Sequence, residues 1–351
     1  MARLTRAQQQ DRTRATVLAA ARAEFAAHGY GEARVDRIAE RAELTRGAVY
    51  SNFPGKRALY LAVLLDSMEQ EDDGSAGPPA GLADALGTFA RGWLARLPLT
   101  GDTVAGGKLG LRSLTGVFDD EPGRTALAQL ASLEALLLAL PLEARESGRP
   151  RLVRLAELAL TLLHGAGHLA EQAPGFGDPF DVALACQHLS TIELTDTWDP
   201  PHLPHVTAAQ RVRQAWQPPG PVRDELSTRP VAPDADGVIA ILGVNRLGAA
   251  EEAVRAARPV TVAVVTSDPA ELGRLVRLRI GDLTGCLRPV FGPDAWPGVC
   301  LVLDEGAAIA SAAGVAATDD TEAALRIRDG EIVARADGRG AGHAAATAGG
   351  R

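Results

Sequence analysis

"ELTRGAVYSNFPGKRALY", residues 43–60, is the stretch on which the reading of this chain turns. Thr45 is a good N-cap for a short helix over 46–52. That helix buries Ala48 and Val49, and Phe53 closes it. Its other side offers Arg46, Gly47, Tyr50, Ser51 and Asn52. Pro54-Gly55 then breaks the chain, and the next helix starts near Lys56 and runs through Leu59 and Val63 to about Met68.

Two more helices are expected upstream. Over 12–28, Val17, Leu18, Ala21 and Phe25 share one face and Arg14 and Arg22 the other, and Gly29 stops the helix. Over 35–42, Val35, Ile38, Ala39 and Ala42 point inward. A second and third helix joined by a tight turn and braced by a first have the layout of a helix-turn-helix reader. Such a reading helix has to bury one side and present donors and small residues on the other. Arg46, Tyr50, Ser51 and Asn52 can reach base edges or phosphates, and Gly47 lets the backbone come close. Lys56, one of two lysines in the chain, falls in the first turn of the fourth helix, where its ammonium and free backbone N–H groups can meet one phosphate.

Charge supports a polyanion partner for this end alone. The chain has net charge −8, yet residues 1–60 hold eleven Lys+Arg against six Asp+Glu, and the remainder is strongly acidic. No apolar run approaches the ~18–20 residues of a membrane span, and no signal peptide is expected. Three widely spaced cysteines, Cys186, Cys286 and Cys300, argue against a disulfide scaffold and for the cytoplasm.

Beyond an acidic, then Gly/Pro-rich boundary near 70–80, helical patterns return. Leu82, Ala85, Leu86, Phe89, Trp93 and Leu97 form an i, i+3, i+4, i+7 stripe. Helices are expected over 125–140, 151–171 and 179–197. "WDPPHLPHV" at 198–206 is a proline-rich break, followed by a helix over 207–216 and linker-like sequence. The periodicity then shortens. Strands are expected at 237–242, 260–266 and 298–303, and "ALRIRDGEIVAR" (324–335) forms a hairpin around Asp-Gly. The order β-α-β-α-β-α-ββ predicts a mixed sheet flanked by helices. The expected division is 1–70, 80–200, a linker at 201–236, and 237–345.

The segment "AAARAEFAAHGYGEARVDRIAERAELTRGAVYSNFPGKRALYLAVL" resembles the TetR family of bacterial transcriptional repressors, above all in "FAAHGY", "IAERA" and "RGAVY" with the Phe and Lys that follow. The resemblance implies an all-α, multi-domain start: a DNA-binding head, then a helical ligand-binding and dimerisation domain. By resemblance the operator contacts are Arg34, Thr45, Arg46, Gly47, Tyr50, Ser51, Asn52 and Lys56. It further implies a homodimer on a palindromic double-stranded DNA operator and a small-molecule effector, with no enzymatic activity, catalytic residue, cofactor or membrane partner. Two departures stand out. Glu43 occupies a turn position where members usually have glycine, and Arg34 stands where a Ser or Thr cap is common. Phe89, Trp93, Leu97, Phe118, Leu133 and Leu137 are candidates for an apolar effector pocket. Gly165, Gly167 and His168 are candidates for the dimer seam. His164 and His168, at i, i+4, have no convincing third metal ligand, with Glu171 and His188 the nearest candidates.

Residues 237–340 resemble a thioredoxin-like, peroxiredoxin-type α/β domain, through "CLVLDEGAAIASAAGV" followed by a strand, "RDG" and a strand. That family's reactive cysteine would follow the first core strand. Here the place reads "LGVNRLGAAEEA", without a cysteine, so thiol catalysis is not expected. A redox-responsive regulator or a thioredoxin-like redox protein acting through Cys286 and Cys300 is the alternative function.

Overall fold

The structure, a computed structural model, describes residues 5–68, 79–97, 114–145, 151–173 and 175–348. Its first helix, α1 (Arg6–Glu32), starts at a capping box in which the Thr5 hydroxyl accepts from Gln8 N–H and the Gln8 side chain accepts from Thr5 N–H. It breaks at Gly29, which takes a left-handed φ of 68°. Three shorter helices follow: α2 (Val35–Arg41), α3 (Arg46–Asn52) and α4 (Lys56–Met68). Val17, Ala21, Phe25, Ile38, Val49 and Phe53 are all buried at their junction, so the predicted apolar faces meet. Leu18 is only half-buried. Phe25 meets Tyr60 of α4 edge-on at 4.9 Å between ring centres, a geometry that suits two aromatic quadrupoles.

The helical body is α5 (Leu82–Leu94), α6 (Glu121–Arg145), α7 (Val153–Gln172) and α8 (Pro179–Leu189). α5 packs on α8 and α6 on α7. Among the described residues α6 is long and apolar enough to cross a bilayer, but 67% of that stretch is buried inside the protein. The helix expected over 179–197 ends at Leu189. The Ser190 and Thr191 hydroxyls donate to the carbonyls of Gln187 and His188, satisfying a helix end from within.

The proline-rich stretch and the linker expectation need correction. Asp196 accepts two hydrogen bonds from the Arg255 guanidinium (2.8 and 2.9 Å), which also lies 4.5 Å from the Trp198 ring centre. His202 pairs with the buried Glu252 at 2.9 Å. Residues 201–236 hold three strands: β1 (Gln210–Ala215), β2 (Val222–Arg223) and β3 (Pro230–Val231). The helix expected over 207–216 is therefore an edge strand. β1 pairs antiparallel with a carboxy-terminal strand, and alternation of Val212 with the exposed Arg211 and Arg213 fits a strand period better than a helical one.

The remaining elements are β4 (Gly237–Gly243), α9 (Ala250–Ala256), β5 (Val260–Val265), α10 (Arg274–Phe291), β6 (Val299–Leu303), α11 (Ala308–Ala313), β7 (Glu322–Arg328), β8 (Glu331–Asp337) and α12 (Ala341–Thr347). The sheet order is β1-β8-β7-β4-β5-β6, with β4, β5 and β6 parallel and the others antiparallel. The expected strand-helix order is present. The hairpin turns at Asp329-Gly330, both with positive φ (50° and 73°), as a two-residue turn matched to strand twist requires. A mixed sheet with helices is what these strands form. The narrower thioredoxin-like expectation gains no support: β4 runs into a 3₁₀ turn, Val244–Ala249, that supplies no thiol.

One face of the sheet, through Val238, Ala240 and Leu242, joins a hydrophobic cluster continuous with the head and body. The other, through Ile239, Ile241 and Val265, packs with Ile309 of α11. α10 carries the α/β unit against α4, α5 and α6.

Candidate nucleic-acid interface and effector pocket

The helix α3 has two chemically distinct sides. Val49 is 1% exposed and Phe53, its C-cap, is fully buried. Arg46, Gly47, Tyr50 and Ser51 are exposed. The Thr45 hydroxyl accepts from Ala48 N–H at 3.2 Å, so it is an N-cap first. The Ser51 hydroxyl and the Asn52 amide both donate to Ala48 O at 2.9 Å. Arg46 lies 3.2 Å from Asp36 and 3.4 Å from the Tyr50 hydroxyl, with its guanidinium 5.4 Å from the Tyr50 ring centre. These bonds hold the donors along one ridge without burying them. A Cβ added at Gly47 would meet only Thr45 Oγ1, at 3.9 Å, so the space beside the helix is open to a partner.

Lys56 sits at the start of α4 as expected, but one of its three donors is already used. Nζ donates to Gly31 O at 3.0 Å and lies 4.7 Å from the Tyr30 ring centre. Partial burial lowers its pKa, against the opposing charge of Glu32. It thus ties α4 to the end of α1 while remaining partly exposed. Arg34 is exposed and makes no side-chain cap.

Glu24, which the sequence reading passed over, organises this face from behind. Its side chain is 1% exposed and takes the Arg34 N–H at 3.3 Å. Arg37, His28 and Arg41 lie 3.5, 3.7 and 3.9 Å from its carboxylate oxygens. The signal was present in the sequence: one acidic residue in the apolar half of α1, facing Arg34, Arg37 and Arg41, which are spaced for one side of α2.

Arg57, the neighbour of Lys56, joins all three parts of the described structure. Its Nη1 donates to Asp120 at 2.6 Å, its Nε donates to Glu271, and its guanidinium lies 4.9 Å from the Phe118 ring centre. Desolvation opposes its charge, but the two carboxylates prevail and raise its pKa. Asp120 is correspondingly lowered, chiefly by the Arg57 hydrogen bond.

A cavity of about 250 Å³ lies where α5, α6, α7 and α10 meet, lined by Trp93, Leu114, Thr115, Leu127, Leu163, His164, Gly167, His168, Glu171 and Arg279. Of the six pocket candidates only Trp93 lines it. Phe89, Phe118, Leu133 and Leu137 are at most 2% exposed and pack in the core, and Leu97 is only half-buried against it. A helical apolar stripe identifies the buried side of a helix but not which buried residues face a void.

An ion pair lies beside this cavity. Arg279 donates from Nε and Nη2 to Glu134, at 2.7 and 2.5 Å, and its Nη2 lies 3.1 Å from His164 Nε2. Burial opposes the Glu134 charge, but the Arg279 charge and hydrogen bonds from His164 and Arg279 outweigh it and hold the carboxyl at about 2. His164 is thereby occupied, with its ring edge-on to Trp93 at 5.0 Å.

The dimer candidates also divide. Gly167 and His168 turn to the cavity. A Cβ at Gly165 would meet nothing within 4 Å, and it lies with Leu158 and Leu169 on the exposed side of α7. Phe180 and Leu184 of α8, with Phe176 and Ile192, are exposed apolar side chains as well; Phe180 is 78% exposed.

Burial opposes thiolate formation at two of the cysteines. Burial pushes Cys186 up to about 11. Burial, the Asp224 charge and a hydrogen bond to Asp224 raise Cys300 further. Cys286 is buried.

Comparison with known proteins bears on the head. Residues 17–63 match the family described as bacterial regulatory proteins, tetR family. Over 64 residues, 18% of this chain, it is 45% identical to the HTH-type transcriptional regulator SrpR of Pseudomonas putida, covering 30% of that protein. The same share of this chain is 45% identical to the uncharacterized HTH-type transcriptional regulator TtgW, also of Pseudomonas putida, covering 47% of it. The match thus spans less than half the length of either relative. Among solved structures, NalD, the secondary repressor of the MexAB-OprM multidrug efflux pump in Pseudomonas aeruginosa, aligns over 54% of this chain and 99% of its own at 20% identity, with a TM-score of 0.34. Over residues 17–63, then, the amino-terminal helices are a helix-turn-helix domain of the tetR family.

Proposed function

We propose that the chain is a homodimeric, ligand-responsive transcriptional repressor that reads a near-palindromic operator. The observation that carries this is α3 itself: within a segment of tetR-family sequence, it presents Arg46, Gly47, Tyr50 and Ser51 to solvent while Val49 and Phe53 hold it to the core. Arg46 and Tyr50 reach base edges in the major groove. Arg34, Thr45, Ser51, Asn52 and Lys56 hold the phosphates, and Gly47 admits the duplex backbone.

Two-fold symmetry supports the operator geometry, since paired heads need half-sites one or more helical turns apart. The apolar surface of Leu158, Gly165 and Leu169 on α7 with Phe180 and Leu184 on α8 supports a four-helix dimer seam, because water-exposed aromatic and aliphatic side chains gain from mutual burial. The cavity beside Trp93 supports an effector site. Burial of Cys286 and the raised Cys300 thiol give the redox alternative through those two residues no comparable footing.

The test is selection of fragments bound by the full chain from the host genome, followed by titration at several salt concentrations. Expected is sequence-selective binding whose affinity falls steeply with salt. Absence of any salt-sensitive, sequence-selective binding by the folded chain would end the proposal.

A further inference from the structure

Several arginines of the head are held by carboxylates: Arg22 by Asp66, Arg37 and Arg41 by Glu24, Arg46 by Asp36, and Arg57 by Asp120 and Glu271. Two half-buried arginines beside the end of α3 are not. Arg14 of α1 has no ion-pair partner among the described residues, and its guanidinium lies 4.7 Å from the ring centre of Phe53. Arg274, in the first turn of α10, lies 5.7 Å from the centre of the same ring. Arg274 donates from Nη1 to Ala58 O at 2.8 Å and also has no ion-pair partner among the described residues. The acids near it are engaged elsewhere: Glu271 accepts from Arg57, Glu305 from Arg277, and Asp268 from the Glu271 N–H. Burial opposes the Arg274 charge, the Arg14 charge opposes it next, and its pKa is lowered.

We infer that Arg14 and Arg274 form a second phosphate grip of the nucleic-acid interface, so that the α/β unit itself helps to hold the duplex. The inference rests on α3 being the DNA-reading helix. Like charges beside one ring repel in the free protein, and an anion between them turns that cost into attraction. The place suits a duplex phosphate: Phe53 is the C-cap of α3, and Ala58 follows Lys56 within the first turn of α4. The ring thus marks the joint between the reading helix and the helix that carries the phosphate-facing lysine. The chemistry suits it as well. A guanidinium steadied by an aromatic ring keeps its planar fork of N–H donors for a phosphodiester, which takes two of them side by side. Arg14 spends no side-chain donor on a hydrogen bond among the described residues, and Arg274 spends one nitrogen on Ala58. Since phosphates carry no sequence information, this grip adds affinity and leaves base choice to α3.

The test uses the full chain, a genomic fragment it selects and an unrelated duplex, in fluorescence-anisotropy titrations over a range of potassium chloride concentrations. Arg14→Met and Arg274→Met should each weaken both duplexes by the same factor, severalfold at low salt. Each should also flatten the dependence of log affinity on log salt by about 0.9 per head, the share of one phosphate. Arg274→Lys keeps the charge and should restore most of that slope. Arg277→Met, one turn further along α10 and paired with Glu305, should leave the slope as it is. Methionine retains an apolar stem against Phe53, so thermal unfolding should hold. Should Arg274→Met unfold early, Arg14→Met and the comparison of Arg274→Lys with the wild type carry the test. A final arm replaces chloride by inorganic phosphate at equal ionic strength, which should compete no better than chloride.

An unchanged salt slope in a folded Arg14→Met or Arg274→Met overturns the grip. A loss of affinity that Arg274→Lys does not restore makes Arg274 a structural residue of the seam and overturns the role of the α/β unit. An equal flattening in Arg277→Met reduces the effect to general charge and overturns it too. Strong competition by inorganic phosphate that vanishes in Arg274→Met makes the pair a free-phosphate site instead. A wild-type chain that holds no duplex fails the regulator reading and this inference with it, whereas binding that all variants share unchanged fails this inference alone.

Discussion

The reading face of the head and the seam between helical body and α/β unit use charged residues in opposite ways. On the reading face the charges are exposed: Arg46 of α3 and Asp36 of α2 are 60% and 62% exposed in their side chains, a pair that contributes little to stability and leaves the arginine available. At the seam the charges are enclosed: Glu134 is 2% and Arg279 17% exposed. Charge placed for a partner stays wet and loosely held, whereas the Glu134–Arg279 pair between units is largely desolvated and held by two hydrogen bonds. The comparison says where substitutions should cost fold and where they should cost binding.

The largest effect should fall at the seam. Glu134→Gln leaves Arg279 buried without a counter-charge and should cost about 3–5 kcal/mol in urea unfolding. Replacing the pair together, Glu134→Met with Arg279→Met, should recover most of it, because breaking a buried pair costs more than removing it. The folded-state carboxyl titrates at about 2, below its ordinary value of 4.5. Its contribution is therefore complete above the ordinary value and is lost as pH falls toward 2, so the wild type should lose stability over that window more steeply than the double variant. Equal acid sensitivity would detach the pair from stability.

Arg46→Ala should show the reverse pattern. Unfolding should shift by no more than about 0.5 kcal/mol, as for an exposed site, while discrimination among operator bases falls by about 1–3 kcal/mol. A uniform loss across sequences would make Arg46 a phosphate contact instead. Lys56→Ala should flatten the salt dependence by about one unit per head, and an unchanged slope would assign the lysine wholly to Gly31 and Tyr30.

The same contrast decides what is legible in the sequence. The head can be read because its information is local: Thr45 caps, Gly29 stops, Val49 and Phe53 turn inward, each within one or two helical turns. The hairpin at Asp329-Gly330 is legible for the same reason. The seam is not, because Arg57 meets Glu271 and Arg279 meets Glu134 across more than a hundred residues, and no periodicity encodes such a meeting. β1 reads locally as helix because its partner strand lies at the far end of the chain. The pocket candidates show a subtler limit. Phe89 and Leu133 are as buried as expected, but burial alone cannot separate a residue facing a neighbour from one facing a void.

Glu43 carries the smallest effect and sets local geometry against residue type. It has φ of 55°, in the left-handed region. Its N–H donates to Glu40 O at 3.1 Å and that of Leu44 to Ala39 O at 2.9 Å. This is the paired bonding of a Schellman ending, whose left-handed position glycine fills without cost. Glutamate there carries strain of about 1 kcal/mol from its Cβ, and its exposed side chain offers little in return. Glu43→Gly should remove the strain but also loosen the unfolded chain, so the net gain should be somewhat under 1 kcal/mol. In a protein of this size that is a rise of about 2 °C or less in thermal midpoint. Since both hydrogen bonds are backbone bonds, the turn and the placement of α3 should survive, and DNA affinity should hold. A clear fall in midpoint would mean that the glutamate side chain, rather than the backbone alone, holds the turn between α2 and α3.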